Sequence, residues 1–171
     1  MKNVRPVWML FAGALWVGCN APHSPETPQP LVKPATITRL VHEPAETRTI
    51  QAGAADTLAF TFTVGPRFHA QANPVPHAYL IPATIKPDSS NYLTPGTPLY
   101  PPGHAYTLAG STDTLSVYDG TFHIAVPLQT DAATPAGDYT VSGSFRYQTC
   151  DDTTCFPPKT IPVEHSIRIT N

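Results

Sequence analysis

Two stretches of the chain alternate between apolar and mostly small or polar side chains with a period of two, a pattern that fits no helix. Residues 57–64 read TLAFTFTV, and residues 121–128 read TFHIAVPL. Successive side chains of a strand point to opposite faces, so this period predicts strands with one buried face. The residues expected to face inward are Leu58, Phe60, Phe62, Val64, Phe122, Ile124, Val126 and Leu128.

The same period recurs towards the C-terminus, at residues 138–149 and 163–169. Its expected inward residues are Tyr139, Val141, Phe145, Tyr147, Val163, His165, Ile167 and Ile169. Weaker strands are predicted at 36–41, 47–51, 67–72, 78–86 and 114–118. No window shows a helical stripe of adequate length, and 21 prolines and 10 glycines divide the chain into short segments. Many short strands joined by such turns indicate an all-β fold, an immunoglobulin-like antiparallel β-sandwich.

Residues 89–110 are predicted to form a long loop, because prolines and glycines recur throughout them. Long loops in compact domains are often functional. Three tyrosines, Tyr92, Tyr100 and Tyr106, add aromatic surface to this one. Both a functional loop and a poorly ordered excursion remain open at this point.

The charge content excludes several classes of protein. Charged residues make up 13% of the chain, and its formal net charge is -2 at pH 7. Coiled coils and long helical bundles need far more charge than this. Binding to a phosphate backbone needs clustered Lys and Arg, so no nucleic-acid partner is expected.

The first 18 residues are predicted to be an export signal peptide. Lys2 and Arg5 precede the apolar run 7–17, which is too short for a bilayer that needs about 20 residues. A small residue before Cys19 resembles a bacterial lipobox, in which the cysteine becomes the lipid attachment site. The alternative is ordinary cleavage near residues 12–14.

A proline-rich tether is expected to follow the signal, over residues 19–35. Repeated prolines stiffen a chain into an extended spacer without a core. The folded domain is then expected at 36–171, held near a membrane by the lipid.

Cys150 and Cys155 are predicted to lie on the two arms of a hairpin, with the polar turn 151–154 between them. Opposed residues of antiparallel strands lie about 4.5–5.5 Å apart, and disulfides accept Cα separations of about 4.4–6.8 Å. The two thiols can therefore bridge. Closing so short a loop stabilises a fold by only about 2 kcal/mol. From these residues alone, a redox-active pair and a structural bridge both remain open.

Metal and acid–base chemistry find less support in the sequence. Two cysteines need two further ligands to hold zinc, and the histidines lack any paired spacing: His69, His77, His104, His123 and His165. No metal and no cofactor are therefore expected, and His123 and His165 are interpreted as core or edge residues. Asp151 and Asp152 are interpreted as a polar turn whose charges raise the pKa of nearby thiols.

Three segments resemble the N-terminal periplasmic domain of the thiol:disulfide interchange protein DsbD. The most specific is YQTCDDTTCFPPKTIPV, at residues 147–163. Supporting matches are FHAQANPVPHAYLIPATIKP at 68–87 and LSVYDGTFHIAVPL at 115–128. The resemblance covers roughly residues 36–170.

This resemblance implies an immunoglobulin-like fold and a cysteine pair that cycles between dithiol and disulfide. Mapped by motif, Cys155 would form the mixed disulfide with a partner and Cys150 would resolve it. An aromatic cap over the pair would be Tyr106 or a neighbour within 104–113. Electrons would come from a thioredoxin-like donor and pass to thioredoxin-like periplasmic acceptors. The sequence has no counterpart of the family's membrane-spanning channel, so the expected donor is a separate protein.

The leading hypothesis is therefore a periplasmic, membrane-anchored lipoprotein that relays reducing equivalents through Cys150 and Cys155. The first alternative is a non-catalytic binding or assembly lipoprotein with a static disulfide. The second is a metal carrier.

Overall fold

Twelve strands make up the regular structure of residues 38–171, the part of the chain that the computed structural model describes. In chain order they are β1 (Leu40–Glu43), β2 (Arg48–Gln51), β3 (Ala55–Val64), β4 (His69–Gln71), β5 (Thr84–Pro87), β6 (Leu93–Pro95), β7 (His104–Thr107), β8 (Thr114–Tyr118), β9 (Thr121–Thr130), β10 (Gly137–Tyr147), β11 (Thr149–Cys150) and β12 (Lys159–Thr170). The predicted signal peptide, the predicted lipid attachment site Cys19 and the predicted tether lie outside the described residues.

The strands form three four-stranded sheets. Their orders are β1-β3-β9-β6, β2-β12-β10-β5 and β11-β4-β8-β7, and every pairing is antiparallel except β2 with β12. The first two sheets face each other: the rings of Phe62 on β3 and Phe145 on β10 are 3.9 Å apart. The predicted all-β, immunoglobulin-like sandwich is confirmed.

The alternating segments supply the core between these sheets, as predicted. Leu58, Phe60 and Phe62 have no exposed surface, and the inward residues expected on β9 and β12 are buried as well. His165 is 5% exposed, and its Nδ1 lies 3.1 Å from the carbonyl oxygen of Ser166. Burial lowers the pKa of His165, so the imidazole belongs to the core as a neutral group.

The predicted loop 89–110 contains two strands, β6 and β7, which the sequence reading missed. Each lies at the end of its sheet, where β6 pairs only with β9 and β7 only with β8. An edge strand needs hydrogen bonds on one side alone, so β6 tolerates Pro95, whereas β7 contains no proline itself and only follows the prolines of the segment. An isolated bridge between Leu99 and Ala125 ties the middle of the segment to β9.

Two other expectations were wrong in detail. The predicted strand 78–86 reduces to β5 at its C-terminal end. His123 is exposed and its Nδ1 lies 2.9 Å from Oγ1 of Thr61, because the alternation that buries Phe122 and Ile124 turns the residue between them outward. Within residues 38–171, no helix has the length and apolar character needed to span a bilayer.

Candidate functional site

Cys150 and Cys155 face each other across a short hairpin and form a disulfide. The amide of Asp151 donates to the carbonyl of Thr154 at 2.9 Å, and the amide of Phe156 donates to the carbonyl of Thr149 at 2.8 Å. The cysteines lie between these hydrogen-bonded positions, at an isolated antiparallel bridge. Their Cα atoms are 3.9 Å apart, closer than the range of about 4.4–6.8 Å expected for a disulfide.

The turn between the cysteines is built around Asp151. Its Oδ1 accepts hydrogen bonds from the amides of Thr153 at 2.9 Å and Thr154 at 2.8 Å, and from the Thr153 hydroxyl at 3.0 Å. These backbone hydrogen bonds lower the pKa of Asp151 and keep its carboxylate charged. The interpretation of Asp151 as a turn residue is confirmed.

The two sulfur-bearing residues differ in their exposure. Cys150 ends β11, which pairs with β4, and it is fully buried. Cys155 lies on the outer arm of the hairpin and is partly exposed. Cys155 is therefore the cysteine of the pair that solvent reaches, and Cys150 is shielded from it.

A buried glutamine, Gln71, contacts both sulfurs from the interior of the domain. It ends β4 and has no exposed surface. Its backbone N–H donates to the backbone carbonyl of Gln148 at 2.9 Å. Its Nε2 lies 3.2 Å from Sγ of Cys150 and 3.8 Å from Sγ of Cys155. Sequence reasoning placed this residue in the weak strand 67–72 but gave no sign of its burial or of its sulfur contacts.

The hairpin of β7 and β8 is fastened to the cysteine turn through Asp152. The Tyr106 hydroxyl donates to Oδ1 of Asp152 at 2.9 Å, and the amide of Ala109 donates to its carbonyl oxygen at 2.8 Å. The Tyr106 ring also packs on the imidazole of His69, with centroids 3.8 Å apart. His69 is the β4 residue directly opposite Cys150. Tyr106 thus lies beside the disulfide hairpin, in the segment where the family resemblance placed an aromatic cap.

Three potential metal ligands converge next to this contact. The imidazole of His69 hydrogen-bonds to one carboxylate oxygen of Asp119, and Nε2 of His104 lies 2.8 Å from the other. The ligand atoms all lie within 4.8 Å of one another, so two imidazoles and a carboxylate could hold a divalent cation. The sequence reading missed this grouping because its members lie on β4, on β7 and just after β8. In this structure the Asp119 carboxylate already contacts both imidazoles.

Aromatic packing secures the arm that follows Cys155. The guanidinium carbon of Arg39 lies 3.7 Å from the ring centroid of Phe156 and 5.5 Å from that of Phe68. A groove of about 250 Å³ opens beside the turn, lined by Arg67, Phe68, Asp151, Asp152 and Thr153. Four polar or charged residues and one aromatic ring therefore line the groove beside the cysteine turn.

Comparison with known proteins adds one strong match. The sequence model described as "Thiol:disulfide interchange protein DsbD, N-terminal" matches residues 38–166. No curated protein matches the chain.

Among solved structures, the N-terminal periplasmic domain of ScsB from Proteus mirabilis aligns at 12% identity and a TM-score of 0.45. This alignment covers 73% of the present chain and 43% of the ScsB chain, so the chain spans less than half of that structure. The ASH / PapD-like domain 7 of human CEP192 aligns at 13% identity and a TM-score of 0.33, covering 87% and 98% of the two chains.

Proposed function

Because this chain belongs to the DsbD N-terminal domain family, we propose that it relays reducing equivalents through Cys150 and Cys155 to oxidised partner proteins. The observation that carries the proposal is the unequal exposure of a disulfide that closes only a short, surface-facing hairpin. Thiol–disulfide exchange requires one sulfur open to attack and a second that can leave and return. Cys155 and Cys150 fit these two roles in that order.

Reduction of the pair proceeds in two exchanges. A donor thiolate attacks Sγ of Cys155, a mixed disulfide forms, and the sulfur of Cys150 leaves as a thiolate that takes up a proton. The donor's second thiolate then attacks the donor sulfur that is bonded to Cys155. This attack forms the donor's disulfide and releases Cys155 as a thiolate. The donor ends as a disulfide and this domain as a dithiol, so two electrons have moved.

Delivery to the acceptor runs the same exchange in reverse, so that this domain is oxidised and the acceptor is reduced. The Cys155 thiolate attacks a disulfide of the acceptor and releases one acceptor thiolate. The Cys150 thiolate then attacks Sγ of Cys155, which expels the acceptor as a dithiol and restores the hairpin disulfide. Membership of the family supports thioredoxin-like proteins as donor and acceptor.

The proposal extends to the location of the domain. The family supports the periplasm, and the N-terminal sequence supports export by residues 1–18 and lipid attachment at Cys19. Residues 19–35 would then tether domain 36–171 to a membrane, close to a membrane-bound donor.

The reduction potential of the cysteine pair tests this proposal against a static bridge. Equilibration of the native domain with dithiothreitol buffers measures it without any partner. A relay requires a potential above about -300 mV, whereas structural disulfides typically lie below that value. A lower potential, or a bridge that opens only on denaturation, would leave a binding or assembly module in place of the relay.

We further propose that Tyr106 restricts access to the disulfide. Replacing it by alanine removes the Asp152 hydrogen bond and the packing on His69. Reduction of the folded domain by dithiothreitol is then expected to accelerate by about three- to tenfold, the change that one net hydrogen bond produces. Tyr106→Phe keeps the ring and removes only the hydroxyl, so it measures the contribution of the Asp152 hydrogen bond apart from that of the packing on His69.

The matched control for this experiment is Tyr92→Ala, at an exposed tyrosine whose ring packs on Tyr139 instead. It is expected to leave the rate unchanged. Equal rates for Tyr106→Ala and the wild type would show that this side chain does not act as a cap.

A further inference from the structure

We infer that Gln71 is a positioning residue that biases the cysteine pair towards its reduced, dithiol state. The inference rests on the proposed function, because a bias between redox states matters only if the bridge opens. Gln71 is fully buried, and its side-chain amide lies within 3.2 Å of one sulfur and 3.8 Å of the other. Its Nε2 is a hydrogen-bond donor and its Oε1 an acceptor, and each interacts differently with a disulfide and with a reduced pair.

The nitrogen of the amide faces the sulfurs as a donor. A disulfide sulfur carries no proton and accepts hydrogen bonds only weakly, whereas a thiolate is a strong acceptor. The Nε2–H of Gln71 therefore binds Sγ of Cys150 more strongly when that sulfur is a thiolate than when it is part of the disulfide. Gln71 thus stabilises the Cys150 thiolate, which leaves during reduction and attacks Cys155 during delivery.

The oxygen of the amide lacks a donor in the oxidised state. Oε1 of Gln71 is buried and has no hydrogen-bond partner among the described residues. Leaving a buried acceptor unsatisfied is costly, and the adjacent disulfide has no proton to offer. Reduction creates two S–H groups next to the same side-chain amide, whose Nε2 lies 3.2 and 3.8 Å from the two sulfurs, so the dithiol state offers donors that the disulfide state lacks.

The surroundings of Cys150 make such help necessary. Cys150 is fully buried, and burial disfavours a charged thiolate that has no hydrogen-bond donor beside it. This burial opposes the Cys150 thiolate that the relay forms in each direction. Gln71 is placed to offset it, because its Nε2 lies 3.2 Å from that sulfur.

Replacing Gln71 by methionine tests the inference, since methionine keeps the length of the side chain and removes both polar atoms. The equilibrium constant for reduction by dithiothreitol is expected to fall about tenfold, which corresponds to a potential about 30 mV lower. The thiol pKa of Cys150, measured in a Cys155→Ala background, is expected to rise.

Gln148→Met is the matched control. Gln148 lies next to the same hairpin, where its side chain donates to the carbonyl of Phe156 at 3.1 Å and accepts from the amide of Ile81 at 3.1 Å. Its loss is expected to lower thermal stability and to leave the potential within about twofold in equilibrium constant. Equal shifts in both variants would overturn the inference, because packing alone would then explain them.

A measurement on the wild-type protein covers the case in which Gln71→Met does not fold. The side-chain amide resonances of Gln71 are expected to move on reduction by more than those of Gln148. An unchanged Gln71 amide contradicts the inference. A bridge that reduces normally with no Gln71 effect removes this inference alone, whereas a bridge that cannot be opened in the folded domain removes the proposed relay with it.

Discussion

Cys155→Ala is expected to abolish disulfide exchange, and Cys150→Ala is expected to trap the partner as a mixed disulfide. The two variants differ because Cys155 is partly exposed and Cys150 is fully buried. With Cys155 present, the first attack still occurs. Without Cys150, no neighbouring thiol remains to resolve the adduct.

The lifetime of that adduct should lengthen by at least about 10³-fold. Well-oriented intramolecular reactions have effective molarities of about 10⁵–10⁸ M, and a partner thiol in solution cannot replace them. Non-reducing electrophoresis of envelope extracts, followed by identification of the adduct, measures the effect and names the partner. Cys150→Ala with Cys155→Ala together is the control that should capture nothing.

Two results would contradict the assignment of roles. Capture through Cys150 in the Cys155→Ala variant would reverse the order of attack. No adduct with either single variant, at a reduction potential suited to exchange, would leave the pair without a protein partner.

Phe62→Ala is expected to lower the free energy of unfolding by about 3–5 kcal/mol, the usual cost of removing a buried phenylalanine. Phe62 has no exposed surface, and its ring lies 3.9 Å from that of Phe145 and 5.4 Å from that of Phe122. These contacts join β3 to β9 in its own sheet and to β10 in the facing sheet. The cavity left by the missing ring therefore cannot close by the movement of one side chain. Typical domains have about 5–15 kcal/mol of stability in total.

Urea unfolding with the disulfide intact measures this loss. Leu99→Ala is the control, since Leu99 is 59% exposed and exposed substitutions change stability by less than about 0.5 kcal/mol. A loss below about 1 kcal/mol for Phe62→Ala would mean that this aromatic cluster does not hold the sandwich together.

Local pattern was sufficient for much of the fold. The alternation in 57–64 and 121–128 identified the inward residues of β3 and β9 correctly, because the period of a strand depends only on adjacent residues. Prediction from local pattern failed where the position of a strand in its sheet matters more than its composition. Strands β6 and β7 were read as loop because prolines recur around them, and only its edge position makes Pro95 acceptable within β6.

The cysteine hairpin was equally accessible from the sequence. Cys150 and Cys155 are separated by a polar turn, and a turn brings its own arms together whatever the rest of the chain does. Their disulfide pairing and the role of Asp151 in the turn followed from these few residues. Their unequal burial did not, because it depends on β4 lying against β11.

Tertiary structure alone assembled the remainder of the site. Gln71 lies 79 residues before Cys150, and Tyr106 lies 46 residues before Asp152. Such contacts arise from the order β11-β4-β8-β7, in which side chains far apart in sequence become neighbours. A short window of sequence carries strand period and turn chemistry, but it cannot say which strand will pair with which. That choice depends on burying the whole core at once, and it decides what surrounds the sulfurs.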